Sequence, residues 1–121
     1  GMWQMTSGTA KELGLVVDGK VDERLDVPKQ TRAAARKLAA LLAEFGSDSF
    51  MLALASYNRG EFGVRRALRD VAKEKDGFRK EKRDFWHLYR LKKLPEETRD
   101  YVPRVLAAAV VCGDPKKYGL E

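Results

Sequence analysis

Apolar residues recur at helical spacing along most of the chain, and the recurrences are punctuated by glycine, proline and capping residues, which predicts short helices joined by tight turns. Thr6 to Leu13 reads as a first helix, with Thr6 and Ser7 as candidate caps and Gly14 as its stop. Leu15 to Val27 holds Gly19 and several aspartates but no sustained period, so it reads as an ordered loop. Pro28 suits the first turn of the next helix. Ala34, Leu38, Leu41, Leu42 and Phe45 then form one stripe, giving a helix from about Pro28 to Phe45 that Gly46 ends. Ser47 and Asp48 offer caps for a helix from about Ser49 to Tyr57, whose Phe50, Ala53, Leu54 and Tyr57 share a face, with Asn58, Arg59 and Gly60 as its break. From about Phe62 to Val71 the pattern buries Phe62, Val64, Ala67, Leu68 and Val71 and turns Arg65, Arg66 and Arg69 outward. Periodicity vanishes between Lys73 and Arg83, where six basic residues face three acidic ones, so this stretch reads as an exposed insertion. A short aromatic helix, Asp84 to Arg90, follows. Pro95 opens a last helix to about Cys112, with a kink or restart expected at Pro103 and a stop at Gly113, Asp114 and Pro115. With no alternating strand pattern, no internal repeat and no low-complexity tract, the fold class is all-α.

Composition narrows the picture. At 121 residues and 44% apolar content, one domain with one hydrophobic core is expected. The longest apolar stretch, Val105 to Cys112, is less than half of the ~20 residues that a membrane-spanning helix needs. Cys112 stands alone, so it makes no internal disulfide, and its apolar surroundings predict a buried structural thiol. The formal net charge of +6 favours encounter with polyanions such as nucleic acid, anionic lipid or acidic cell-wall polymer, without choosing among them.

Chemistry by metal or triad finds little support. One histidine and one cysteine exclude a zinc site built from His and Cys ligands, and leave a Ser-His-Asp triad only if His87 anchors it. His87 lies in the aromatic stretch Phe85, Trp86, Tyr89 and reads as a packed or surface residue. Gly60 and Gly63 flank a helix start but lack the Lys-Ser/Thr pair of a phosphate loop. No metal and no cofactor is implied.

Three stretches rise above this background: Gly1-Met2-Trp3-Gln4-Met5, Ala55-Ser56-Tyr57-Asn58-Arg59-Gly60-Glu61, and Leu94-Pro95-Glu96-Glu97-Thr98-Arg99-Asp100-Tyr101-Val102-Pro103. In this order and spacing they resemble the soluble lytic transglycosylase family, relatives of goose-type lysozyme. The first is similar to that family's Gly-Leu-Met/Trp-Gln motif, followed by a helix start at Thr6-Ser7-Gly8-Thr9-Ala10. The second is similar to its Ala-x-Tyr-Asn-x-Gly motif and the third to its Glu-Thr-x-x-Tyr-Val motif. Asp22-Glu23-Arg24-Leu25-Asp26, Thr31-Arg32-Ala33-Ala34 and Pro115-Lys116-Lys117-Tyr118-Gly119 resemble the membrane-bound branch.

The resemblance implies a lysozyme-like helical fold with a groove for the alternating N-acetylmuramic acid and N-acetylglucosamine strand, and a place in the cell envelope or periplasm. One glutamic acid would protonate the glycosidic oxygen and then act as base while the muramic C6 hydroxyl attacks, leaving a 1,6-anhydro product. That carboxyl must stay protonated near neutral pH, which a partly apolar site achieves by disfavouring its charged form. In the family it lies in a Glu-Ser pair roughly two dozen residues before the Gly-x-x-Gln motif, hence upstream of Gly1. The chain is therefore expected to be an N-terminally incomplete domain, inactive alone, with a second copy or a partner covering the face of the missing helix.

Carried over by matching positions, Gln4 would hydrogen-bond sugar groups or the catalytic region, Trp3 and Met5 would line the groove, Tyr57 and Asn58 would form its polar floor, and Tyr101 would point at the acid. From the residues alone, Asn58 equally fits a helix-end cap, Tyr57 and Tyr101 fit core tyrosines, and Trp3 fits packing. Glu61 resembles a residue frequent at that place in the family and is not assigned as catalyst. Glu12, Glu23, Glu44, Glu96 and Glu97 fit helix-surface or capping roles. Two other classes stay open: a non-catalytic module binding peptidoglycan or a partner, and a small basic helical nucleic-acid binder whose affinity would fall steeply with salt.

Overall fold

A computed structural model describes residues 2–46 and 49–120. Among them the regular structure is helical: α1 (Ser7–Glu12), α2 (Val27–Phe45), α3 (Phe50–Arg59), α4 (Glu61–Ala72), α5 (Phe85–Arg90) and α6 (Glu96–Gly113), with short 3-10 turns at Glu23–Leu25, Lys80–Lys82 and Pro115–Tyr118. The all-α class read from the periodicity is the class observed. The caps expected at Ser47 and Asp48 lie outside the described residues. The chain divides into two compact units, residues 1–44 and 45–121. Each has its own cluster of buried apolar side chains, where the composition suggests a single core.

In the first unit α1 is closed at both ends. The Thr6 hydroxyl accepts the Thr9 amide at 3.1 Å, and Gly14, at φ 84°, lets the Leu15 amide return to the Ala10 carbonyl at 2.9 Å. Arg36 of α2 donates to the Leu13 carbonyl at 2.8 Å, satisfying an acceptor at the end of α1. Ala10, Leu15 and Ala33 are buried together, with Met5, Leu13 and Val17 packed around them. The loop between the helices is ordered by its acids. Asp18 accepts the amides of Lys20 and Val21, both at 2.8 Å, in a local turn. Asp26 accepts the Lys29 amide at 3.0 Å and so caps α2, which begins one residue before the expected Pro28.

The second unit packs α3, α4, α5 and α6 around Leu52, Ala55, Val64, Ala67, Leu68, Val71, Phe85, Leu88, Leu94 and Val102. Asp84 caps α5 by accepting the His87 amide at 2.8 Å, and the rings of Phe85, Trp86 and Tyr89 meet edge to face or tilted. Glu96 and Glu97 occupy the first turn of α6, where the helix dipole favours negative charge.

Four local expectations are corrected. α3 does not stop at Tyr57 but carries Asn58 and Arg59, and the break falls at Gly60 alone, whose φ of 90° and ψ of 141° suit a residue without Cβ. Phe62 is 74% exposed, because the buried face of α4 is Val64, Ala67, Leu68 and Val71, and Phe62 lies on the opposite side. α6 runs past Pro103 without a restart, since Tyr101, Val102 and Leu106 on either side of it hold to the same core. Cys112 is exposed, because Leu106 is the last residue of α6 packed on the core cluster and the helix outruns it.

Candidate functional site

The second unit joins two of the motif stretches through one polar contact. Asn58 stands near the C-terminal end of α3, and Thr98, 1% exposed, stands in the first turns of α6. The Thr98 hydroxyl donates to Asn58 Oδ1 at 2.9 Å, and Asn58 Nδ2 donates to Glu97 Oε1 at 3.4 Å. A buried hydroxyl needs a partner, and here it takes the oxygen of the amide, which turns the NH2 group toward the exposed Glu97. Asn58 is thus an oriented side chain and not a cap of its own helix; the end of α3 is closed by the Gly60 amide donating to the Ser56 carbonyl at 2.8 Å.

Tyr57 and Tyr101 are half-buried, Tyr101 against the core cluster. Burial pushes the Tyr57 hydroxyl above its ordinary value of 10.0, with Tyr101 adding to the shift, and burial alone raises Tyr101. Both therefore remain neutral hydroxyls at physiological pH. Among the described residues the neighbouring Ser56 Oγ is buried without a hydrogen-bond partner, as is His87 Nε2, which lies 3.8 Å from Glu74 Oε2.

The first unit holds Trp3, Gln4 and Met5 differently. The Trp3 indole N–H donates to Thr31 Oγ1 on α2 at 2.9 Å, so the half-buried ring is fixed by the Thr31-Arg32-Ala33-Ala34 stretch. Gln4 sits at φ 55°, in the left-handed region that a side chain with Cβ adopts at a cost. Met5 packs against the Ala10 cluster and lines a cavity of about 150 Å³ with Asp22, Arg24, Leu25 and Gln30. In that wall Arg24 grips Asp22 through Nε at 2.9 Å and Nη2 at 2.7 Å, which holds the Asp22 carboxyl below the ordinary 3.8. Glu23 is paired with Lys29 and accepts the Val16 amide at 2.7 Å, and these contacts keep it below 4.5. The acidic stretch Asp22 to Asp26 is thereby occupied in holding the loop to α2.

Among the described residues no aspartate or glutamate is buried. Glu61, which follows Gly60, is half-buried at the start of α4 and has partners of its own. Thr98 and Thr31 are the site residues that the sequence reading left without a role, although both stand inside stretches it singled out.

Comparison with known proteins gives the family. Residues 1–78 match the family model described as the transglycosylase SLT domain. The whole chain is 34% identical to the membrane-bound lytic murein transglycosylase D of Escherichia coli K12, of which it covers 25%, and equally so to that of Escherichia coli O6:H1. Over 62 residues, half of this chain, it is 50% identical to the peptidoglycan transglycosylase gp16 of Escherichia phage T7, covering 5% of that protein. The chain belongs to the transglycosylase SLT domain family, whose fold is lysozyme-like and helical. It spans a quarter of the length of the Escherichia coli relatives. No helix among the described residues is long and apolar enough to cross a membrane.

Proposed function

We propose that this chain binds the alternating N-acetylmuramic acid and N-acetylglucosamine strand of peptidoglycan in the cell envelope and supports its cleavage by a lytic transglycosylase reaction. The observation that carries this is the oriented Asn58 amide. Thr98 engages its oxygen and Glu97 one of its two amide protons, and the second amide proton with the neutral Tyr57 and Tyr101 hydroxyls is hydrogen-bonding chemistry suited to sugar hydroxyl, acetamido and ring oxygens. The names of the relatives, two murein transglycosylases and a peptidoglycan transglycosylase, support the substrate class. In the first unit Trp3, Gln4 and Met5 fit the same role, with Gln4 held in a backbone conformation of the strained kind found at functional positions.

In the reaction itself a carboxyl donates its proton to the glycosidic oxygen as the bond to C1 breaks. It then accepts the proton of the muramic C6 hydroxyl as that oxygen closes on C1, leaving a 1,6-anhydro ring and consuming no water. Such an acid must be kept protonated by burial. No described carboxyl is fully buried, and we give the described residues the work of holding the strand, with the proton donor expected in the Glu-Ser pair that the family resemblance implies. The same observation favours, as the second reading, a module that binds peptidoglycan without cutting it.

A pull-down on purified sacculi tests the shared part of both readings. Wild-type chain should sediment with the sacculi, and Asn58→Ala should lose most of that binding while its circular dichroism spectrum stays helical. Equal sedimentation of the two proteins would remove Asn58 from the binding surface.

A further inference from the structure

Two features have no part in the glycan reading: the outward arginines of α4 and the Lys73 to Arg83 insertion. From Phe62 to Arg83 the chain carries nine basic residues and four acidic ones. On α4, Phe62, Arg66, Arg69 and Lys73 fall at i, i+4, i+7 and i+11, one exposed stripe opposite the buried Val64, Ala67, Leu68 and Val71. Arg66 and Arg69 make no ion pair or side-chain hydrogen bond among the described residues. Arg65 lies beside the stripe with its guanidinium 5.3 Å from the centre of the Phe62 ring.

Beyond the helix the insertion repeats this pairing, with Arg83 5.5 Å from the centre of the Phe78 ring. It is also fixed in place. Gly77 is buried so closely on α4 that a Cβ there would meet the Val71 carbonyl oxygen at 2.1 Å. The Lys82 ammonium donates to the Lys75 carbonyl at 2.6 Å, and Arg83 reaches the Leu68 carbonyl at 3.5 Å. The basic segment is thus held ready, and little ordering entropy remains to be lost when it binds.

We infer that the outer face of α4 and the insertion form a docking surface for an anionic lipid bilayer. Charge complementarity calls for a negatively charged partner. The two phenylalanines choose its kind. Phe62 and Phe78 are 74% and 78% exposed, and each ring has one face taken up by its own arginine. The charged backbone of an acidic wall polymer or a double helix offers a phenyl edge less apolar surface to enter than acyl chains do. A stacked base would find only one open face on each ring. The boundary between headgroups and acyl chains accepts the ring edge and solvates the arginine at phosphate level together.

Each basic side chain brought to an anionic bilayer raises partitioning by roughly fivefold, and the gain falls as salt screens it. Co-sedimentation with phosphatidylglycerol-containing vesicles, set against pure phosphatidylcholine vesicles and a duplex DNA oligonucleotide in the same buffer, therefore tests the assignment. The wild-type chain should partition to the anionic vesicles, less at high salt, and only weakly to phosphatidylcholine. The double variant Arg66→Glu, Arg69→Glu should lose at least tenfold, and Phe78→Ser several-fold, with helical circular dichroism spectra retained by all three proteins. The inference is overturned by unchanged vesicle binding in the double variant, by equal binding to both kinds of vesicle, or by tighter binding to the DNA that these substitutions abolish. It stands apart from the glycan reading, since sacculus binding by Asn58 neither requires nor excludes it.

Discussion

The Thr98 hydroxyl and the Asn58 amide oxygen, 2.9 Å apart, tie the end of α3 to the start of α6 and decide which way the amide faces. A buried threonine that serves an asparagine in this way is a positioning residue, and replacing it separates packing from orientation. Thr98→Val keeps the shape and removes the donor, leaving an unsatisfied amide oxygen at an expected cost of about 1–3 kcal/mol. Thr98→Ser retains the hydroxyl and should keep sacculus binding close to wild type. Urea unfolding and sacculus pull-down of both variants check this; a valine variant that binds like wild type beside a serine variant that binds poorly would mean that the methyl group, not the hydrogen bond, is what matters.

Gly60 and Gly77 should fail for different reasons. At Gly60 no atom lies within 4 Å of an added Cβ, but φ is 90° with ψ 141°, so Gly60→Ala should cost about 1–3 kcal/mol through backbone strain alone. At Gly77 the obstacle is the Val71 carbonyl, a backbone atom that cannot swing aside. Gly77→Ala should therefore displace the insertion and speed tryptic cleavage at its lysines and arginines. Limited proteolysis distinguishes the two, with Gly60→Ala leaving the insertion as resistant as wild type.

Much of the fold was legible because period and punctuation agree. The stripes that end at Phe45 and Val71, the Asp84 cap and the Pro95 start correspond to helices within a residue or two. What escaped was tertiary. Phe62 has the right residue type for the α4 core and the wrong angular position, and Cys112 lies in an apolar run whose far end has nothing to pack against. For the site, the Tyr57-Asn58 and Glu97-Thr98-Tyr101 stretches were legible as motifs. The hydrogen bond between them joins residues 40 positions apart, and no local pattern encodes that.

The loop of the first unit should be sensitive to acid. Asp18 is held below 3.8, chiefly by the Lys20 and Val21 amides, Asp22 below 3.8 by Arg24, and Glu23 below 4.5 by Lys29. Because the folded values are depressed, the stability these groups contribute is present above the ordinary values and is lost as pH falls through the folded ones. Carboxyl carbon titration by NMR should give midpoints below 3.8 for both aspartates and below 4.5 for Glu23, and thermal midpoints should drop in the same range. Midpoints at the ordinary values would mean that these contacts do not persist in solution.

At the other end of the scale, Tyr57 and Tyr101 are raised by burial, so the folded chain holds their protons more tightly than the unfolded one. Their contribution is intact below pH 10 and lost as pH rises through the folded values. Ultraviolet titration should show a component of tyrosine ionisation above the ordinary value, and Tyr57→Phe should remove part of that late component. A single transition at the ordinary value would contradict the half-buried placement.

The central claim, a strand-holding transglycosylase surface whose proton donor lies outside the described residues, meets its most direct test in one incubation. Purified sacculi are mixed with this chain, the bound protein is measured by sedimentation, and the soluble fraction is searched by mass spectrometry for 1,6-anhydro muropeptides. The account predicts binding that depends on Asn58 and no anhydro products. Anhydro products released by this chain would contradict it, placing a working acid among its own residues and making Glu61 the first position to substitute.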